Sequence, residues 1–365
     1  MTISVWNYLK EYELEREEIL DAVDAVFRSG RLILGTNVSD FETEFSTYCQ
    51  SNYGIGVGSG TDALFIGLKS LGIGPGDEVI TVANTAVPTI SAIISTGATP
   101  RFVDIDLSNY LIDPSNIEEA INTKTRCILP VHLYGHCADM DKINQIATKH
   151  GLYVLEDCAQ AHGGTYKNRL SGSMSDVSAF SFYPTKILGT YGDGGIVVTN
   201  NHDIMSRARR LRFYGMESSY YAKEHGYNSR LDEVHAAILR VKLPKLGSYL
   251  KSRQLLAHRY NELLNGTSLT LPIVSPNCNH AFYLYVCRHP ERDQVIANLE
   301  SQGINLNVSY RWPIHLMKAY KELGYQQGDL PNTEKACEEV FSLPMYPTLS
   351  DREQDLVVTA LLKFT

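Results

Sequence analysis

One lysine offers the plainest chemistry in the chain. Lys186 follows the uncharged run Ser178 to Thr185 and precedes Gly189, Gly192, Gly194 and Gly195. Its neighbours Phe180, Phe182 and Tyr183 favour burial, and a buried amine needs a partner or gives up its charge. The neutral amine is a nucleophile, so the position suits covalent work. Upstream, the apolar run Leu152 to Leu155 ends in Glu156-Asp157-Cys158-Ala159-Gln160-Ala161-His162-Gly163. A carboxylate at the carboxyl end of a buried parallel strand lies where open α/β sheets bind their ligands, which marks Asp157 as a site residue. A third segment, Gly56-Val57-Gly58-Ser59-Gly60-Thr61-Asp62-Ala63-Leu64, is a glycine-rich turn opening into an apolar helix. Free backbone N–H groups and the helix dipole favour an anion there.

An amine able to form an imine, an acid able to face a pyridinium nitrogen and a cradle for phosphate match the needs of pyridoxal 5'-phosphate, whose ring is an electron sink. With these segments the chain resembles the DegT/StrS family of nucleotide-sugar aminotransferases, within the fold-type I group of pyridoxal-phosphate enzymes. The resemblance covers nearly the whole length. It also rests on Ile33-Leu34-Gly35, Gly74-Pro75-Gly76-Asp77-Glu78-Val79, Pro130-Val131-His132-Leu133-Tyr134-Gly135, Ser181-Phe182-Tyr183-Pro184-Thr185-Lys186, Asn228-Ser229-Arg230-Leu231-Asp232-Glu233 and Leu343-Pro344-Met345-Tyr346-Pro347.

The resemblance implies roles residue by residue. Lys186 is the Schiff-base lysine, Asp157 keeps the pyridine nitrogen protonated, and Gln160 reaches the phenolic oxygen or ring face. Gly60, Thr61 and Ser181 meet the phosphate. Asn228 corresponds to a residue given to the phosphate of the neighbouring subunit, which implies a homodimer with shared active sites. Tyr183, Tyr310 and His315 are carried over as substrate residues. Two departures stand out. Ala86 occupies a cofactor-facing place where many relatives have an aromatic ring, so stacking is weaker or comes from elsewhere. Ser309-Tyr310-Arg311-Trp312-Pro313-Ile314-His315 replaces a segment that more often starts with histidine.

The elements that must position these residues can be read from pattern. Between Tyr53 and Thr199, short β-branched runs alternate with helical ones: 78–82, 101–103, 126–130, 153–155, 177–182 and 195–199. Such alternation predicts an α/β fold, a mostly parallel central sheet covered by helices. Tyr53 to Val57 is a poor strand by composition, so the dinucleotide fingerprint that Gly58, Gly60 and Ala63 satisfy is weak. Beyond Asn228 the pattern predicts a helix over 231–246 interrupted near Pro244, another over 250–264, a strand over 281–288, a helix over 291–302 and a strand after Gly303. The expected division is a large cofactor-binding domain, 1–245, and a small C-terminal α/β domain, 246–365.

Composition narrows the function further. The chain has 365 residues and a formal net charge of -8, which argues against a nucleic-acid surface. Its basic cluster, Arg207, Arg209, Arg210 and Arg212, reads as a helix face. The uncharged stretch 79–100 contains threonines, Asn84 and Pro88, and fits a strand, loop and short helix better than a membrane span. Seven scattered cysteines without a Cys-x-x-Cys pair fit reduced thiols, and a cytoplasmic location is expected. Cys158 reads as a packed residue. His132 and His136, with Cys137 and Asp139, have a superficial metal spacing, but Gly135 disfavours a helix there and no metal is expected.

The resulting expectation is transamination of a dTDP-linked 3-keto-6-deoxy sugar with L-glutamate as donor, giving a dTDP-3-amino-3,6-dideoxy sugar. This follows the branch that the segments 84–90 and 228–239 most resemble. The alternatives are a 4-keto nucleotide-sugar aminotransferase of the perosamine-synthase type and a dehydratase of the same fold, which would carry histidine in place of Lys186. An aldolase with a bare lysine would need neither Asp157 nor the cradle, and a cofactor-sensing regulator would need a DNA-binding module.

Overall fold

Seven short strands assemble the layer on which everything else rests. The computed structural model describes residues 2–218 and 220–364. The strands are β1 (Tyr53–Val57), β2 (Glu78–Val82), β3 (Thr99–Val103), β4 (Thr125–Ile128), β5 (Tyr153–Asp157), β6 (Val177–Ser181) and β7 (Gly195–Thr199). Their order across the sheet is β1-β7-β6-β5-β4-β2-β3. Strands β3, β2, β4, β5 and β6 run parallel, and β7 is antiparallel to both β6 and β1. Nearly continuous burial along β5, β6 and β7 is what a sheet covered on both faces requires.

The helices follow the expected alternation. Helices α1 (Tyr8–Ser29) and α2 (Thr36–Tyr48) precede the sheet, α3 (Gly60–Ser70), α4 (Val87–Ser95) and α5 (Met140–His150) connect its strands, and α6 (His202–Leu211) follows its last strand. The stretch 79–100 is thus strand, loop, helix and strand. None of the described helices is long and apolar enough to cross a membrane. The arginine cluster lies on and just after α6, neutralised by acids: Arg207 and Arg210 meet Glu224 at 3.2 and 2.9 Å, while Arg212 pairs with buried Glu42.

The expectation for Tyr53 to Val57 is corrected: the segment is the edge strand β1. Its glycines, which weaken intrinsic strand propensity, are demanded by close approach. A Cβ on Gly54 would lie 2.5 Å from the Glu42 carbonyl, and one on Gly56 3.0 Å from Leu231 Cβ. Glu42 accepts the Gly56 N–H at 2.8 Å, and Arg212 donates to both Glu42 and the Gly56 carbonyl. Tertiary contacts override propensity here.

Past residue 228 the helical boundaries shift. Helix α7 (Glu233–Lys242) passes through a short 3₁₀ turn containing Pro244 into α8 (Leu246–Leu263), which starts earlier than its pattern suggests. The remaining elements are β8 (Tyr285–Arg288), α9 (Arg292–Glu300), α10 (Pro331–Glu339), β9 (Val340–Leu343) and α11 (Asp351–Leu361). Strand β8 pairs antiparallel with β9, and residues 281–284 form a loop instead of extending it. The strand expected directly after Gly303 is absent among the described residues before β9; Ile304 and Asn307 make only single bridges to Ile3 and Ser342. Tyr260, Tyr285, Phe341, Leu343 and Val357 build a core for this region, and Ile3 joins it from the N-terminus.

Glu233 ties α7 to the start of α2. Buried to 2% exposure, it accepts N–H groups from Gly35, Asn37 and Val38 at 2.8, 3.0 and 2.8 Å. Helix α2 has no side-chain cap of its own, so a carboxylate distant in sequence satisfies its orphan donors. Replacing it with alanine strands those donors in a dry setting. Glu233→Ala is expected to lower unfolding free energy in urea by roughly 3 kcal/mol. A change within error would show that α2 does not depend on this cap.

Candidate active site

The carboxyl ends of the parallel strands converge on a cavity of about 370 Å³, and most of the residues singled out from sequence line it. After β1, Ser59 caps α3 by accepting the Asp62 N–H at 3.1 Å. The first helical bond runs from Ala63 to the Ser59 carbonyl at 2.9 Å, so the Gly60 and Thr61 N–H groups stand outside the ladder. Gly60 is required by contact: a Cβ there would lie 2.5 Å from Ser181 Cβ. Ser181 ends β6, and its buried hydroxyl accepts the Tyr183 N–H at 3.3 Å. These groups form a polar pocket with an exposed helix N-terminus, which fits a phosphate.

Asp157 is the last residue of β5 and is 4% exposed. Its Oδ1 accepts the Ala159 N–H at 3.1 Å, and its Oδ2 accepts the Thr89 hydroxyl at 2.9 Å. Burial pushes its acid above the usual range; the Ala159 and Thr89 hydrogen bonds and the charges of Lys186 and His132 offset only part of that. The preceding Glu156, completely buried, behaves in the opposite way. Burial raises its acid too, but it accepts from His132 at 2.8 Å, Gly172 N at 3.0 Å, Met174 N at 2.9 Å, and the Ser175 and Ser178 hydroxyls, and the net effect holds it below normal.

Lys186 is half-buried, with its Nζ 4.7 Å from the centre of the Tyr283 ring. Phe180 and Phe182 are buried as expected, whereas Tyr183 is 50% exposed on the cavity wall, because the chain turns at Pro184. Lys186 and Asp157 therefore line the same cavity, with Ala86, Thr85 and Thr89 on the side of α4. Ala86 presents no ring, but Tyr283 does. Its hydroxyl is 3.0 Å from Thr185 Oγ1.

The remaining carried-over residues are placed less uniformly. Gln160 lines the cavity with both ends of its amide engaged: Oε1 accepts the Tyr134 N–H at 2.7 Å and Nε2 donates to the Tyr310 hydroxyl. Tyr310 lines an adjoining cavity of about 200 Å³ that shares Thr185 and Tyr283 with the first. His315 is not brought to either cavity. It is 1% exposed, with Nε2 3.1 Å from Glu334 and its ring edge-on to Tyr325, so the sequence match places its backbone but not its side chain. Asn228 is exposed on the surface of this chain, its backbone bridged to Phe213.

The metal spacing dissolves into hydrogen bonds. His136 accepts the Ser275 N–H at 3.1 Å and stacks on His280, while Asp139 caps α5. His132, Glu156 and Cys158 do approach within 4.8 Å of one another. However, His132 Nδ1 accepts the Ala138 N–H at 3.1 Å, which leaves Nε2 to donate to Glu156, whose oxygens are already filled.

A scan of family models matches residues 13–362 to the DegT/DnrJ/EryC1/StrS aminotransferase family. The chain belongs to that family. It is 50% identical, over 99% of its length and 98% of the relative's, to the dTDP-3-amino-3,4,6-trideoxy-alpha-D-glucose transaminase of Micromonospora megalomicea subsp. nigra. It is 43% identical, over 96% of each chain, to the dTDP-3-amino-3,6-dideoxy-alpha-D-galactopyranose transaminase of Aneurinibacillus thermoaerophilus. Its backbone matches the crystal structure of S. venezuelae DesV in complex with a ketimine intermediate with a TM-score of 0.98 at 41% identity, covering 100% of this chain and 98% of the other. This aminotransferase is an enzyme of the fold-type I group and uses pyridoxal 5'-phosphate. The cradle, the amine and the desolvated carboxylate line one cavity, and their donor set fits that cofactor.

Sequence reasoning passed over Tyr283, Thr85 and Thr89. Tyr283 lay inside a run read as strand, and the threonines lay in a segment read for its missing ring and its branch resemblance, not for their hydroxyls. Nor did it anticipate the dry setting of three histidines, of which His136 was weighed only as a metal ligand. Burial, with the Lys186 charge adding to it, holds His162 at about 3; burial, reinforced by His132, holds His136 at about 4; and His280 is held well below its usual value, chiefly by burial. A depressed histidine contributes stability that is full above about pH 6.5 and is lost as pH falls below it, because the unfolded chain takes the proton first. Each contributes roughly 1.4 kcal/mol per pH unit between its two values. The slope of unfolding free energy between pH 6 and 5 should therefore fall by about one proton in His162→Gln relative to the parent. Parallel curves would mean that His162 is protonated in the fold.

Proposed function

We propose that this enzyme transfers an amino group from L-glutamate to a dTDP-linked 3-keto-6-deoxy sugar, yielding a dTDP-3-amino-3,6-dideoxy sugar. The observation that carries the reading is the shared cavity: Lys186 and Asp157 line the same space, with the glycine cradle closing one end. The C3 position rests on the relatives, two of which are named for amines at C3 although they differ at C4. Lys186 in the place where a dehydratase would have histidine argues for amine transfer.

The cofactor, when bound, supplies a ring that withdraws electrons from the carbon losing its proton. Lys186 Nζ would be the residue that holds the cofactor covalently and, when free, the base available to move a proton at the reacting carbon. Over the Tyr283 ring it keeps a resting place for its ammonium form. Asp157 would keep the ring nitrogen protonated, Gly60, Thr61 and Ser181 would receive the phosphate, Ala86 would lie beside the ring, and Gln160, fixed by Tyr134 and Tyr310, would offer its amide to it. Tyr183 and Tyr310 would face the sugar, whereas His315 is engaged by Glu334 away from both cavities.

We further propose a homodimer in which Asn228 completes the phosphate site of the partner subunit, in keeping with its exposure in the single chain. The division into domains is placed at 245/246, with α8 spanning both: Leu250 packs on the large unit and Tyr260 on the small one. All seven cysteines are free and six are buried, which favours a reducing, cytoplasmic setting.

Two measurements test this reading. With purified dTDP-linked 3-keto or 4-keto 6-deoxy sugar as acceptor, L-glutamate should be turned over to 2-oxoglutarate only in the presence of the 3-keto compound, which gains the amine, and Lys186→Ala should turn over neither. Turnover of the 4-keto sugar alone would make the enzyme a perosamine-type aminotransferase. For the shared sites, Lys186→Ala and Asn228→Ala homodimers, each impaired, should regain up to about a quarter of wild-type activity per site when refolded together, because the mixed dimer carries one intact site. No recovery on mixing would place Asn228 outside the partner's site.

A further inference from the structure

The carboxylate that faces the cofactor ring is held by a chain of two hydroxyls that the sequence motifs did not mark. We propose that Thr89, backed by Thr85, is a positioning residue that orients Asp157 and keeps it ionised opposite the ring nitrogen. The proposal rests on the reading of Asp157 given above.

The geometry is directional. An ionised carboxylate can only accept, so the 2.9 Å contact is a donation from Thr89 Oγ1 to Asp157 Oδ2. With its proton committed there, Thr89 accepts from the Thr85 hydroxyl, 3.0 Å away. The order is therefore Thr85 to Thr89 to Asp157, with each donor strengthening the next. All three residues are buried, at 2%, 1% and 4% exposure, so water competes poorly for any of them. Hydrogen bonds to a charged acceptor are about twice as strong as neutral ones, and more so where the dielectric is low.

The chain's own sequence builds the relay. Thr85 and Thr89 bracket the start of α4: Ala86 is its N-cap residue and Pro88 lies in the first turn, where the missing N–H costs nothing. Thr89 N donates to the Ala86 carbonyl at 3.1 Å, which fixes the turn. The hydroxyl thus goes to Asp157 instead of capping the helix. Asp157 has one other hydrogen-bond donor among the described residues, the Ala159 N–H on Oδ1, which no side-chain substitution removes. Thr89 is therefore the side chain through which the chain sets both the rotation of the carboxylate and its affinity for a proton. Without that donor the carboxylate becomes more basic, and the proton shared with a ring nitrogen moves toward the acid.

The test compares Thr89→Val, nearly isosteric and without the hydroxyl, with Thr89→Ser, which keeps it, and with Asp157→Asn. Each holoenzyme is loaded with pyridoxal phosphate labelled with ¹⁵N in the ring, and the nitrogen resonance is recorded alongside the dissociation constant for unlabelled pyridoxamine phosphate. Thr89→Val should move the resonance toward the unprotonated position and weaken pyridoxamine phosphate binding by about tenfold, the scale of one charge-assisted bond. Thr89→Ser should restore both. A Thr89→Val protein with the parental resonance and affinity overturns the relay, provided Asp157→Asn shifts the resonance. If Asp157→Asn also leaves it in place, the reading of Asp157 itself fails and the relay falls with it.

Discussion

Two adjacent carboxylates with opposite surroundings organise this molecule. Alternation along β5 sends Glu156 and Asp157 to opposite faces of the sheet. Glu156 meets an imidazole N–H, two backbone N–H groups and two serine hydroxyls, enough donors to make a fully buried anion stable. It pins the loops at 132–138 and 171–178 to the strand end. Asp157 meets only two donors and faces the cavity, which leaves it capacity for a cationic ligand. Glu156 is structural because its oxygens are filled, whereas those of Asp157 keep acceptor capacity toward the cavity.

The same economy appears in the cradle. Antiparallel β7 carries Gly195 against the loop before α3, where an added Cβ would lie 2.2 Å from the Ser59 carbonyl. Gly60 lies as closely against Ser181. The proposed phosphate pocket thus lies where three segments approach closely, and glycine is the residue that permits it. Lys186 enters from a turn five residues past the end of β6, so its amine reaches the cavity that Asp157 also lines, over the ring of Tyr283 from the C-terminal region.

How much of this was legible in the sequence follows from where each property resides. Lys186, Asp157 and the 56–64 turn carry their chemistry in residue type and local spacing, and all reach one cavity. Strands 78–82 and 195–199 were readable to the residue, because buried β-branched runs have few other uses. Strand β1 was not readable, since its glycines satisfy Glu42 and Leu231, neighbours that only the fold supplies. Nor was the orientation of His315, which depends on Glu334, or the Thr85–Thr89 relay, which depends on rotamers. Tyr283 escaped because an aromatic residue in a β-like run has no distinguishing mark.

The account's central claim is that Lys186 is the covalent anchor of the cofactor. Reduction of the holoenzyme with borohydride, followed by proteolysis and mass mapping, tests it most directly. The account predicts that the cofactor mass stays attached to the peptide carrying Lys186, in near-stoichiometric amount. A label on any other lysine, or none after reduction of a fully loaded enzyme, would contradict it.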